Sequence, residues 1–564
     1  MVTFYDVQKE LPFECNFEAN KVNRGQWQKP IEFLLSCVSM CVGLGNVWRF
    51  PYVAYNNGGV GRPLYYLELS LGQFSGKGPI KVWKCVPFLK GVGFAQIITV
   101  SYVIIFYNYI MAVTLYYLFM SFNNPLPWSV ADESWSSSCY LNITENDFAC
   151  NTSLSQEYFQ NHVLKAPNWF NWRLAGCLTL SWVVVYLCVI KSVASLGKVA
   201  YFTALFPYLM LICLLIVSLL REGSTDGILY FFTPDWARML DPRVWYRALE
   251  QCFFSLNICF GAVLMYASYN RFDNNVYRDS MIISVVDTFS SILASCVVFA
   301  VLGSMSHELK TPISELVKMQ GEELAFIVYP QVLSTVKVVP QLWSVLFFIM
   351  LFVLGVGSSV SQVETILTCI REQFPRLMNR KSSIALIALT IFNICGFSLT
   401  NNSGRDVLKI LNNYGTGSAA FLYGTLQTIG VMWIYGCRRF CSDIKFMSSQ
   451  FVGLFWRVTW TIVCPFALVV IFIFGTYTEV TAHTEKWIVT MSGWSLAALA
   501  VLQIPIWMVI TTQSYTGTIK QRLEQSITPS EDWGPSDPSH YYRWKNHRIL
   551  EKEGTIPLSF ITLR

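Results

Sequence analysis

The chain has 564 residues, of which 53% are apolar, 15% aromatic and only 13% charged, with a net charge of +6. Soluble globular domains carry about 25% charged residues, so this composition is not that of a soluble protein and points to lipid as the solvent. The Lys and Arg residues sit mostly in short connectors and tails, where membrane topology alone places them, and imply no nucleic-acid partner.

Residues 1–30 are polar and lack the apolar core of a cleavable signal peptide, which predicts a cytoplasmic N-terminal tail. Recurrent apolar runs then predict about twelve spans. Span one covers 31–57, span two is short at 62–76, and span three covers 93–120. A polar external loop, 123–170, holds Cys139 and Cys150 and the glycosylation sequons at Asn142 and Asn151. A disulfide is expected between the two cysteines, two free thiols being the alternative. The other cysteines are scattered, many within apolar spans as small hydrophobes.

Spans four to seven are read at 173–190, 198–220, 245–269 and 279–305. A second external loop, 306–340, carries two short helical patterns, 314–319 and 321–334. Spans eight to twelve follow at 341–370, 383–400, 415–436, 453–477 and 487–511, making 31–512 one membrane domain. The remainder, 513–564, contains Pro529, Pro535 and Pro538 and is expected to be a poorly ordered cytoplasmic tail. Lys77, Lys81, Lys84 and Lys90 after span two, and Arg371, Arg376, Arg380 and Lys381 after span eight, put both termini on the cytoplasmic side. No P-loop, HExxH or complete GxGxxG is present, and Cys437-x3-Cys441 is a weak metal pattern, so an enzyme is not expected.

"CVGLGNVWRF" sets Gly43, Gly45 and Asn46 in the middle of span one, where they weaken a helix. A break facing lipid would leave backbone groups unpaired at several kcal/mol each, so it must line a protein cavity. "FFSLNICFGA" interrupts span six in the same way at Ser255, Asn257 and Gly261. Paired broken helices point to a binding site at the membrane midplane, where freed carbonyls hold a cation and half-helix N–H groups an anion.

"GLGNVWRFPY", "PLYYLELSLGQF" and "SLNICFGAVLMYASYN", in this twelve-span layout, resemble the neurotransmitter:sodium symporter family, closest to its nutrient amino acid transporter branch. The resemblance implies an all-α, LeuT-type inverted repeat of five plus five helices with two additional C-terminal helices. It implies a plasma-membrane symporter of neutral amino acids driven by sodium or another alkali cation, alternating access around the broken helices.

Carried over by position, a first sodium site matches Cys41, Asn46, Ser255 and Asp287; the family usually has Asn where Asp287 stands. A second matches Ser39, Val42, Leu354, Gly357 and Ser358. There Gly357 replaces a side-chain oxygen ligand, and a weaker site is expected. Substrate positions are Gly43, Gly45, Val103, Tyr107, Phe254, Asn257, Phe260, Ser361 and Gln362; Gly43, in place of the aspartate of amine transporters, leaves room for a substrate carboxylate. The extracellular gate matches Arg49 and Phe254, with Asn412 where an acidic partner usually stands, and the cytoplasmic gate matches Arg24, Trp27 and Glu372. Gln251, Ser255 and Ser291 remain of a chloride site, so chloride dependence is expected to be weak.

One departure is large. After Asn57-Gly58-Gly59 about a dozen family residues are missing, including a tyrosine of the chloride site, before Gly61-Arg62-Pro63. Span two keeps about 12 apolar residues, about 18 Å of helix against a hydrocarbon core near 30 Å. Alternatives to the symporter reading are therefore a non-transporting or defective isoform or paralogue, and a transporter of another small carboxylated amine such as GABA. The oligomeric state is not legible.

Overall fold

The computed structural model describes residues 25–45, 61–130, 139–142, 147–150, 154–164, 170–190, 193–233, 241–309, 312–313, 324–334, 339–378, 380–415, 417–481 and 487–553. Eight helices in them are long and apolar enough to cross a membrane: Pro87–Met120, Trp172–Val189, Leu196–Leu219, Val276–His307, Pro340–Gln373, Lys381–Thr400, Leu454–Thr481 and Trp487–Gln513. They fall on spans three, four, five, seven, eight, nine, eleven and twelve.

The other four expected spans fall short of that test for visible reasons. Span one is a helix only over Pro30–Cys41 before its break. Span six is split into Pro242–Ser255 and Ala262–Ala267, with left-handed backbone at Asn257, Cys259 and Gly261 in or at the edge of the gap. Span ten changes from α-helix (Ala419–Thr428) to a π-helical turn (Ile429–Gly436). Span two is the helix Gly61–Ser75, 15 residues long. It begins where the described residues resume, so its 15 residues are the described part of the span. Its side chains are buried except that of Arg62, and its Pro63 carbonyl accepts from Trp460 Nε1 at 2.7 Å.

Spans one, three, five, seven and eight form the packed centre: span eight lies against spans three and five, and span one against spans five and eight. The second half of span six packs on span two. Span five turns Leu205, Leu209, Ile212 and Ile216 outward, at i, i+4, i+7 and i+11, as one apolar stripe suited to lipid. Outside the helical mass, Cys139–Asn142 and Asp147–Cys150 form an antiparallel hairpin whose register sets Cys139 opposite Cys150. In the loop after span seven, 324–334 is helical; 314–319 lies outside the described residues.

The tail corrects the expectation of disorder. Ile519–Ile527 and Pro538–Lys552 are helices, the second capped by Asp537, which accepts from Ser539 N, with Pro538 in the first turn where its missing N–H costs nothing. Trp533 is buried beside Phe74 and Tyr435, and its Nε1 donates to Tyr435 Oη at 3.0 Å. Lys84 pairs with Asp532, and Ser530 N donates to the Lys84 carbonyl. The firmest anchor is Asp443, which accepts from Trp544 Nε1 (2.7 Å), Arg548 Nη2 (2.8 Å) and Tyr435 Oη (2.5 Å). Burial pushes its carboxyl up to about 6, with the Arg548 cation pulling the other way. The prolines that suggested disorder thus delimit a segment folded by tertiary contacts.

Candidate functional site

The helical ladder of span one ends where Val42 N donates to Val38 O at 2.8 Å. The next donor, Gly43 N, turns to Cys41 O, and Leu44 N donates to Tyr107 Oη at 3.2 Å. The carbonyls of Ser39 and Met40 thereby lose their ordinary i+4 donors. Met40 O is taken up by Asn257 Nδ2 (3.1 Å) and Ser358 Oγ (3.2 Å), so spans one, six and eight meet at one carbonyl.

Gly43 is required by space. A Cβ there would stand 2.7 Å from Ser358 Oγ and 3.0 Å from Tyr107 Oη. Gly43→Val is therefore expected to abolish uptake while leaving most of the protein at the cell surface, checked by parallel uptake and surface labelling. Uptake within about twofold of the parent would contradict this, since overpacking a rigid site costs about 1–3 kcal/mol.

Of the first sodium set, Ser255 Oγ donates to Asp287 Oδ1 at 2.7 Å, and Cys41 ends the helix Pro30–Cys41. All three are buried; Asn46 lies outside the described residues. Around the expected substrate positions, Val103, Asn257, Phe260, Ser361 and Gln362 are buried, and Phe254 stacks toward Phe260 with ring centroids 5.5 Å apart. Two of the polar members are partly committed elsewhere: Asn257 Nδ2 ties span six to span one, and Ser361 Oγ donates to Ser358 O within its helix. Gln362 Oε1 has no partner among the described residues. In the second set, Ser39, Val42, Leu354 and Ser358 are buried, and a methyl at Gly357 would collide with Ser39 Oγ.

The model of the sodium:neurotransmitter symporter family matches residues 24–515. The chain belongs to that family. It is similar to the sodium-dependent nutrient amino acid transporter 1 of Drosophila persimilis, at 39% identity over 95% of this chain and 89% of the relative. The proteins of the same description from Drosophila erecta and Drosophila melanogaster are each 38% identical over 95% of this chain, covering 92% and 91% of their own lengths. With its eight crossing-length helices, the chain is a multi-pass membrane protein and not an enzyme.

The gate positions are unevenly described. Arg49 and Arg24 lie outside the described residues. Asn412 is exposed, its Nδ2 3.4 Å from Asn413 Oδ1. Trp27 is buried, donating from Nε1 to Tyr266 O, and Glu372 accepts from Gly78 N through both oxygens, at 2.9 and 3.1 Å. Gln251 and Ser291 of the chloride set are buried with no side-chain partner among the described residues. The Cys437 and Cys441 sulfurs are 3.9 Å apart, and among the described residues no group of three or more metal-binding side chains forms. Asn142 ends a hairpin strand, whereas Asn151 lies outside the described residues.

Glu68 of span two is not among the residues expected from the sequence. It is fully buried, and its Oε1 accepts from Cys259 N (3.0 Å) and Gln427 Nε2 (3.0 Å), so it holds open the turn of span six. A carboxylate within the apolar run "YYLELSLGQF" was the available signal. Glu364, paired with Lys381 at 2.9 Å, was missed for the same reason.

Proposed function

We propose that this chain is a sodium-coupled secondary active symporter of neutral amino acids, working by alternating access around the breaks of spans one and six. The carrying observation is the junction at Gly43, where the Leu44 N–H has left the helical ladder and donates to the Tyr107 hydroxyl, and Ser358 Oγ and Tyr107 Oη approach a residue without a side chain. An amino acid's carboxylate suits that corner: it accepts from half-helix N–H groups and a tyrosine, and completes the shell of a cation at Cys41, Ser255 and Asp287. Sodium, a hard cation, prefers such oxygens. The relatives' description as sodium-dependent nutrient amino acid transporters supports the same reading.

In this reading both termini are cytoplasmic, the protein sits in the plasma membrane, and Cys139 and Cys150, opposed in the hairpin, are disulfide-bonded. The test is uptake of labelled neutral amino acids by expressing cells with sodium replaced by choline. Loss of uptake supports the proposal, and uptake indifferent to the replacement overturns it; competition by GABA and by charged amino acids sets the substrate class. A defective or non-transporting variant is the second reading, favoured by the sequence interruption between Gly59 and Gly61-Arg62-Pro63. Saturable uptake at normal surface levels would exclude it.

Chloride dependence is expected to be weak. Asp287 supplies a fixed negative charge beside the cation, which lessens the need for a bound anion. Replacing chloride with gluconate should leave at least about half of the uptake; near-total loss would contradict the prediction.

A further inference from the structure

Beside the break of span one, spans one, five, six and eight line a half-open recess of about 10 Å³, room for about one water, with Ser36, Ser39, Thr203, Tyr266 and Gly357 among the residues facing it. Gly357 brings no side chain to it, and the space its Cβ would take is filled by Ser39 Oγ. Ser39 therefore presents two oxygens to one place. Its carbonyl has lost the Gly43 N–H donor, and would lie 2.7 Å from a Cβ at position 357.

Proton bookkeeping orients the hydroxyls. Thr203 Oγ1 donates to Val199 O at 3.2 Å, so in its 2.8 Å contact with Ser39 Oγ it is the serine that donates. The Ser39 lone pairs are left for another partner. Ser358 Oγ likewise spends its proton on Met40 O. Ser36, one turn earlier on the same face of span one, is 3% exposed and its Oγ has no partner among the described residues. A buried hydroxyl without a partner costs about 1–3 kcal/mol, which a bound cation or water offsets.

We propose that the Ser39 hydroxyl, held by Thr203, is a ligand of the co-transported alkali cation, supplying from span one the side-chain oxygen that Gly357 does not supply from span eight, and that Ser36 offers the adjoining oxygen. This rests on the sodium-coupled reading above and changes one expectation: the second cation site is rearranged rather than weakened. Thr203 is a positioning residue, and neither its role nor that of the Ser39 side chain was legible in the sequence.

The test uses full-length protein in nanodiscs, with equilibrium binding of ²²Na⁺ as the readout alongside uptake. Ser39→Gly removes the hydroxyl and is expected to lower sodium affinity at this site about tenfold, since a bond to a charged group is lost. Gly357→Ser alone collides with Ser39 and is expected to lower it as well. The double variant Ser39→Gly/Gly357→Ser moves the hydroxyl back across the interface and should recover affinity to within about threefold of the parent, an outcome that misfolding of the single variants would not produce. Thr203→Val should shift sodium affinity in the same direction by a smaller factor. Parental sodium affinity in Ser39→Gly, or a double variant no better than its singles, overturns this inference alone. A parent that binds no sodium overturns the symport reading and this inference together.

Discussion

Asp287→Ala is expected to raise the half-saturating sodium concentration about a hundredfold or more, leaving little uptake at physiological sodium. The carboxylate is buried within span seven and accepts from Ser255 Oγ at 2.7 Å, next to the break of span six. An ionised group there costs about 2.5–3.5 kcal/mol on insertion scales, so it is tolerable only with a compensating partner. In the proposed function that partner is the transported cation. Truncating one member of a buried charge pair costs about 3–5 kcal/mol, which corresponds to the stated shift. Asp287→Asn keeps a polar oxygen and should retain more uptake than alanine. Sodium dependence and uptake unchanged in Asp287→Ala would remove this residue from the site.

The second large effect concerns the tail. Arg548→Ala leaves Asp443, 1% exposed, without its cation, and is expected to destabilise the docked tail by about 3–5 kcal/mol. The measurements are limited proteolysis of the segment after Gln513 and the surface level of the protein; both should report release. The paired change Asp443→Asn with Arg548→Met removes both charges and should recover much of the protection, because a buried pair replaced as a pair costs far less than one that is broken. A single variant as protease-resistant as the parent would show that Trp533 and the Lys84–Asp532 pair hold the tail unaided.

The broken spans were legible because glycine and asparagine advertise backbone freedom: Gly43 and Gly45 mark one gap, Asn257 and Gly261 the other, and the last two adopt positive φ. Cys259 also adopts positive φ, with no signal of its own, since the partner of its N–H is Glu68, 191 residues away in sequence. The tail was misread for a related reason. A charged, proline-bearing segment looks disordered until Asp443, Tyr435 and Phe74 are known to await it. At the position where the family resemblance implies a second cation, a glycine in span eight signalled a lost ligand. Only packing brings Ser39 into the space that glycine leaves.

A shortened span two was expected from the interruption in "NNGGVGRPLYY", and residues 46–60, on which that expectation turns, lie outside the described residues. The alignment with the Drosophila persimilis relative covers 95% of this chain yet extends over 585 positions, more than the chain's 564 residues, so the relative holds residues with no counterpart here.

Coupling between the sodium and amino acid fluxes is the central property to be measured. The direct measurement is neutral amino acid accumulation by the purified full-length protein in proteoliposomes, with an inward sodium gradient imposed and then collapsed by an ionophore. The account predicts transient accumulation above the external concentration that disappears with the gradient. Accumulation that persists without the gradient, or no transport by protein that is correctly inserted, would contradict it.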